Sequence, residues 1–285
     1  MKGAKTLLGI MAFLVLAGCS AESADVDREP DSAAESGVQA PKPPSVHPRF
    51  EMDGTQFETL IGFAPVATRE GIRRAPTRFL DLLSSILDGP EELTWVIDRD
   101  NPVSGDYEPS DLVDLDLHRG TVDLSRSRHR LRRVALDPLG EMVSAARQEG
   151  ITLLVSSVYR SYAYQADVYQ YWVETLGEEE ADRTSARPGT SQHQLGTTID
   201  FGCICEAFAQ TAAGIWLEEH AWRFGFSLSY PEGLEELTGY QYESWHYRYI
   251  GRDAARMERE FFNGIQHDLL HFIARARPSL DRYHR

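Results

Sequence analysis

The chain has 285 residues and carries 44 acidic against 29 basic side chains, a formal net charge of −15. Charge of that sign argues against recognition of DNA or RNA through a phosphate-neutralising surface, and 42% hydrophobic with 10% aromatic residues excludes a chain disordered throughout. No apolar run reaches the roughly 18 residues of a membrane-spanning helix, and three cysteines are too few for a disulfide scaffold.

Lys2 and Lys5 give a positive start, and residues 7–16 form an apolar run of about ten residues, the length of a signal-peptide core rather than of a span. Leu16-Ala17-Gly18-Cys19 follows and resembles a bacterial lipoprotein cleavage box. The resemblance implies removal of residues 1–18 and acylation of Cys19, hence attachment to a membrane through lipid; two acyl chains already suffice for stable anchoring. An ordinary secretory signal with an incidental cysteine is the competing reading. The expected location is the cell envelope, on the periplasmic face of a membrane, and Ser20 rather than Asp after the cysteine leans toward the outer membrane if the host is Gram-negative. Residues 19–49 are rich in Ala, Ser, Glu and Asp and close on Pro41, Pro43, Pro44 and Pro48. They read as a disordered tether with a stiff, extended end.

Residues 50–94 form an N-terminal extension of unknown role. Within it, residues 77–88 have helical spacing, with Phe79, Leu82, Leu83, Ile86 and Leu87 on one side and Gly89-Pro90 as the stop. Residues 95–285 form the main domain. A short strand is expected over 93–97, and turns at Asn101-Pro102 and Tyr107-Glu108-Pro109. The run 126–133, with five arginines and one histidine, reads as a solvated helix face. Asp137 can cap a helix with Pro138 at its first position and Gly150 as its stop. A buried strand follows over 151–158, then a helix over 162–176 ending at Gly177, a loop at 187–190 and a β-branched strand over 197–202. A helix over 208–223, a short aromatic strand over 245–250 and one long helix over 252–276, ending near Pro278, complete the chain. Trp172, Trp216 and Trp222 fall on helices and read as core. Helices and strands do not strictly alternate, so the expected class is α+β, with helices packed on a small, mostly antiparallel sheet.

Four residues carry chemistry. His193 and Asp200 flank a Gly196 turn and a β-branched run, and His246 lies in Trp245-His246-Tyr247-Arg248 with Glu243 three positions before it. Two imidazoles and a carboxylate make a three-ligand zinc set with a fourth position left for water, the layout of a catalytic site. Zinc can lower the pKa of such a water toward about 7, and a carboxylate outside the ligand set can accept the water proton. Glu243 can do so only from a turn before the strand, because residues three apart in a strand point to opposite faces. Each residue also has a plain reading. A histidine is more often surface or hydrogen-bonded than a ligand, and Asp200, between Ile199 and Phe201, could be held by an arginine instead. Cys203 and Cys205 could be core residues, a disulfide or metal ligands; plain packing is the favoured expectation, because so short a bridge is strained.

From about residue 95 to 251 the text resembles the VanY-type D-alanyl-D-alanine carboxypeptidases, zinc peptidases of peptidoglycan metabolism. The matching blocks are Asn101-Pro102 with Tyr107-x-Pro109-x-Asp111-Leu112-Val113, Ser157-x-Tyr159-Arg160-Ser161-Tyr162-x-x-Gln165, Ser191-x-His193-x-x-Gly196-x-x-x-Asp200, Phe224-Gly225-Phe226, Tyr230-Pro231, Thr238-Gly239 and Glu243-x-Trp245-His246-Tyr247-Arg248. The resemblance implies a fold of the D-Ala-D-Ala carboxypeptidase and Hedgehog type, with one zinc ion on His193, Asp200 and His246 and Glu243 as catalytic base. It implies Arg160 as the residue that polarises the scissile carbonyl, Ser191 and Gln165 at the substrate, and stem peptides as substrate. L,D-carboxypeptidase, endopeptidase or silent peptidoglycan-binding roles are the alternatives. Thr198 and Ser244 depart from the family pattern; the Thr198 hydroxyl could bond Asp200.

Overall fold

Residues 54–88 fold into three helices, α1 (Gly54–Ile61), α2 (Val66–Arg74) and α3 (Pro76–Asp88). Asp53 starts α1 by accepting the Gln56 N–H at 2.9 Å while the Gln56 side chain accepts the Asp53 N–H at 2.8 Å, so two backbone donors of the first turn are satisfied reciprocally. Pro76 opens α3, where its fixed φ suits a first turn. Phe79, Leu80, Leu82 and Leu83 of α3 are buried. Their partners come from the other end of the chain: Phe79 meets Phe261 edge-on at 5.3 Å and Phe272 at 5.6 Å. The computed structural model describes residues 44–284, which fall in one compact unit. The signal segment, Cys19 and residues 19–43 of the expected tether lie outside the described residues; residues 44–49 are not tether but part of the body, where His47 is buried with its Nε2 3.0 Å from Asp81 Oδ1 and Arg49 pairs Asp88 at 2.8 Å.

The expected strand over 93–97 is absent; Glu91–Thr94 is a single 3₁₀ turn. The carbonyls of Glu92 and Leu93 are taken instead by the buried guanidinium of Arg248, at 3.3 and 3.1 Å. The next elements are β1 (Leu112–Asp114), β2 (Asp123–Leu124), β3 (Arg130–Arg132) and α4 (Arg133–Gln148). The arginine run is therefore loop, strand and helix start, not a helix face. Helix α4 begins before the Asp137 cap and contains Pro138, because its first turn buries Ala135 and Leu136 in the core and burial outweighs the bond that proline forfeits. Then come β4 (Leu154–Ser157), α5 (Tyr162–Leu176), α6 (Glu178–Thr184), β5 (Thr198–Phe201), α7 (Ala212–His220), β6 (Phe226–Leu228), α8 (Glu235–Thr238) and β7 (His246–Tyr249). The expected helix over 208–223 shrinks to α7 between two 3₁₀ turns, with the Thr211 hydroxyl accepting the Gly214 N–H at 3.0 Å.

The main sheet has the order β2-β4-β5-β7-β6; only β2–β4 is parallel, and β1 pairs β3 in a separate antiparallel ribbon. Helix α4 covers it through Leu139, Met142, Val143 and Ala146. The expected single C-terminal helix is two, α9 (Arg252–Phe261) and α10 (Gln266–Tyr283). Asn263 and Gly264 break it with φ of 56° and 72°, a left-handed conformation these two residue types tolerate best. Pro278 sits inside α10. The stripe Leu269, Leu270, Phe272, Ile273, Ala276 and Leu280 is buried on both sides of it, and each large side chain contributes about 1.5–3 kcal/mol against a proline cost of about 3 kcal/mol.

Candidate metal centre

Strands β5 and β7 build the centre. They pair antiparallel with Asp200 directly opposite His246, which places side chains distant in sequence within reach of each other. His193 arrives from the 3₁₀ turn Gln192–Leu195, joined to β5 through Gly196 at φ 68°. A Cβ at Gly196 would come within 2.9 Å of Leu112 Cδ2, so glycine is needed for space as well as for conformation. His193 Nε2 lies 3.2 Å from Asp200 Oδ2, and His246 Nδ1 lies 3.2 Å from Asp200 Oδ1. One ligand atom from each residue falls within 4.8 Å of the others, and all three residues are buried; no other such group occurs among the described residues.

Outer bonds orient both rings. His193 Nδ1 is 2.5 Å from the Val158 carbonyl, and His246 Nε2 is 3.3 Å from Gln192 Oε1. Both partners are acceptors, so these nitrogens carry protons, and the inward ligand atoms are His193 Nε2 and His246 Nδ1. Burial, with Arg160 behind it, pushes His193 down to about 4, which keeps the ring neutral at pH 7. Burial opposes ionisation of Asp200, but the two imidazoles outweigh it and hold its pKa well below the usual carboxylate range. Burial likewise lowers His246, yet Asp200 and Glu243 prevail and raise it to about 9. Two carboxylates facing one imidazole thus hold positive charge at this point, whether as a proton or as a metal ion. His193 Nε2 and Asp200 Oδ1 are buried without a hydrogen-bond partner, a costly condition that a bound cation would relieve. Two imidazole nitrogens and one carboxylate are a donor set that fits zinc.

The flanking residues arrange themselves around this cluster. Glu243 precedes the turn into β7, with its Oε2 3.1 Å from His246 Nδ1, beside the ring rather than behind it. Arg160, three residues beyond β4, directs Nη2 to within 3.5 Å of Asp200 Oδ2 while Nη1 donates to Gln165 Oε1 at 3.0 Å. His193, Asp200, His246, Glu243 and Arg160 line a cleft of about 530 Å³.

A family model described as VanY, D-alanyl-D-alanine carboxypeptidase, matches residues 128–252. The chain is 30% identical over 256 residues to YodJ of Bacillus subtilis (strain 168), named as a carboxypeptidase; the match covers 86% of this chain and 87% of YodJ. The chain belongs to the VanY family of D-alanyl-D-alanine carboxypeptidases. Two solved structures share its fold. The LdcB LD-carboxypeptidase is 35% identical with a TM-score of 0.53, over 60% of this chain and 85% of LdcB. A VanY D,D-pentapeptidase in complex with Zn(II) is 28% identical with a TM-score of 0.53, over 63% of this chain and 99% of that one. This VanY-family chain is a metallo-carboxypeptidase of α+β fold, as the sequence resemblance implied.

Some expected site residues take other places. Gln165 is fully buried. Its Oε1 is occupied by Arg160 and its Nε2 donates to the Ala186 carbonyl at 2.7 Å, so it stands behind Arg160 and does not line the cleft. Ser191 lines the cleft, and its hydroxyl accepts the His193 N–H at 3.3 Å. The Thr198 hydroxyl donates to the Gln192 carbonyl at 3.1 Å, not to Asp200. Tyr247 and Tyr249 enter the core while Arg248 is buried on the face of His246. Trp216 is core, but Trp172 is half-exposed and lines the cleft. Cys203 and Cys205 form a disulfide with Cα atoms 5.3 Å apart, in place of the expected packing.

Gln192 is the site residue that sequence reasoning missed. Its Oε1 accepts from Ser229 Oγ at 2.7 Å as well as from His246, and its Nε2 donates to Gln266 at 3.3 Å. The only signal in the sequence is its place beside a candidate ligand. Gln192→Leu should weaken zinc binding by about 10–100-fold by releasing the His246 ring. Competition with a chromophoric chelator measures this; unchanged affinity would deny the orienting role.

Proposed function

We propose that this protein is a zinc-dependent carboxypeptidase that removes the terminal D-alanine from peptidoglycan stem peptides. The observation that carries the reading is the buried His193–Asp200–His246 cluster with the Glu243 carboxylate 3.1 Å from one of its rings. His193, Asp200 and His246 would hold the ion. Zinc bound there would polarise the scissile carbonyl and make water acidic enough to attack near neutral pH. Glu243 takes the proton of the attacking water on its carboxylate and delivers it to the leaving amine. The Nη2 group of Arg160 faces the developing oxyanion, and Gln165 holds that guanidinium in one orientation. Ser191 offers a polar contact to the terminal D-alanine. A peptidoglycan binder without turnover would have no use for a base at Glu243.

The likeness to the LdcB LD-carboxypeptidase, at 35% identity, favours one second reading, cleavage of the L,D-bond in tetrapeptides. Muramyl pentapeptide and tetrapeptide assayed side by side, with and without a zinc chelator, decide between them. The expected result is D-alanine released from pentapeptide, lost on chelation and restored by zinc. Release from tetrapeptide alone would reassign the specificity, and release from neither with zinc present would end the proposal.

For placement, we infer that Cys19 is acylated after removal of residues 1–18 and that a tether over 19–43 lets the enzyme reach the wall from the periplasmic face of a membrane, the outer one in a Gram-negative host. The box Leu16-Ala17-Gly18-Cys19 supports this. Mass spectrometry of the mature protein tests it, and an unmodified Cys19 would refute it.

A further inference from the structure

The cleft has an apolar wall that the chemistry of the centre does not use. Tyr164, Val168 and Trp172 line it from α5. Their spacing of four residues puts them on one face of that helix. This face does not serve the core: Gln165, a polar residue tied to Arg160, is the one buried residue of α5. Tyr164 is 42% exposed.

Ile204 lines the same cleft and is 57% exposed. It is the single residue enclosed between Cys203 and Cys205, which are bonded to each other. The loop leaves β5 after Phe201, which puts Ile204 four residues beyond Asp200, and it is pinned on its other side. The Gly202 N–H donates to the Leu154 carbonyl at 2.8 Å, and its own carbonyl accepts from Ser156 Oγ at 2.5 Å. Gly202 has φ 63°, and a Cβ there would overlap the ring of Phe208. An aliphatic side chain held in water has no value for stability, and an apolar patch beside polar groups in a concave site marks ligand contact.

We propose that Ile204, presented by the Cys203–Cys205 bridge, and the Tyr164–Val168–Trp172 face form an apolar subsite for the aliphatic side chain of the second peptide residue on the acyl side of the scissile bond, the one that precedes the penultimate D-alanine. The assignment rests on the carboxypeptidase reading. A carboxypeptidase releases one residue, so the longer part of its substrate lies on the acyl side, and the wall is where its hydrocarbon can be shielded. The bridge fixes the Ile204 backbone before substrate arrives, so little ordering is left for binding. Ile204 and Trp172 are specificity-determining contacts; Cys203 and Cys205 are positioning residues.

The test compares two peptides, Nα,Nε-diacetyl-Lys-D-Ala-D-Ala, which carries a four-methylene chain, and N-acetyl-Gly-D-Ala-D-Ala, which carries none. The zinc-loaded protein should favour the lysine peptide through KM. Ile204→Ser, Trp172→Ala and the double variant Cys203→Ser/Cys205→Ser should each reduce that KM preference by about tenfold, and Ile204→Leu should restore it. Serine variants replace chemical reduction because dithiols also strip zinc. Zinc content and melting temperature identify any variant that has lost its fold, and Ile204→Leu then carries the comparison. No preference in the unaltered protein, or a preference that survives Ile204→Ser and Trp172→Ala, overturns the subsite. A preference lost in Ile204→Ser but kept in the double serine variant overturns the role of the bridge. Release of D-alanine from neither peptide by the unaltered protein is a different result, the failure of the carboxypeptidase reading itself.

Discussion

Glu243→Gln is expected to lower kcat by about 10³-fold while leaving bound zinc in place. Glutamine keeps the size of the side chain and an acceptor oxygen near His246 Nδ1, now 3.1 Å from Glu243 Oε2, but cannot take up a proton. The side chain is only slightly exposed, at 12%, so bulk water is a poor substitute base. Paired measurement of kcat and of zinc content separates the role of base from that of ligand. A variant that retains full turnover would remove Glu243 from the mechanism, and one that loses its zinc would move Glu243 into the ligand set.

Asp200→Asn is expected to have the opposite signature, with loss of the metal first and of turnover as its consequence. Asp200 supplies the only anionic ligand of the cluster and is 2% exposed. Altering groups that merely orient a ligand already costs about 10–100-fold in metal affinity, so neutralising the ligand itself should cost more than about 100-fold. Asparagine preserves the volume and the β5–β7 pairing opposite His246, which keeps the comparison one of charge rather than of fold. Zinc titration against a chelator measures the affinity. Retention of tight zinc binding would show that the carboxylate has no metal role and serves only its contacts with His193, His246 and Arg160.

Much of this architecture can be read along the chain because it is governed by local chemistry. Helix α5 runs over residues 162–176 as expected, since Ser161 caps its N-terminus and Gly177 ends it at φ 83°. The strands around Asp200 and His246 stand where β-branched and aromatic residues concentrate. Elements misread from sequence share a cause: distant partners overrode local preference. Leu93 looks like the start of a strand, but its carbonyl is engaged by Arg248, and Pro138 looks like a helix start only until the burial of Ala135 and Leu136 is known.

The sequence by itself determined the family, the kinds of residue available for metal chemistry and the glycine that the turn before β5 requires, because these depend on identity and short-range spacing. Only the tertiary structure decided that Gln192 orients His246, that Gln165 stands behind Arg160, and that Trp172 and the bridged Ile204 border the cleft. The physical reason is that hydrogen-bond acceptance and exposure are relations through space. A neutral amide, a tryptophan on a helix or a pair of cysteines has the same local signature whatever it faces, and the packing of β4, β5, β7 and α5 around one point settles which partner each one meets.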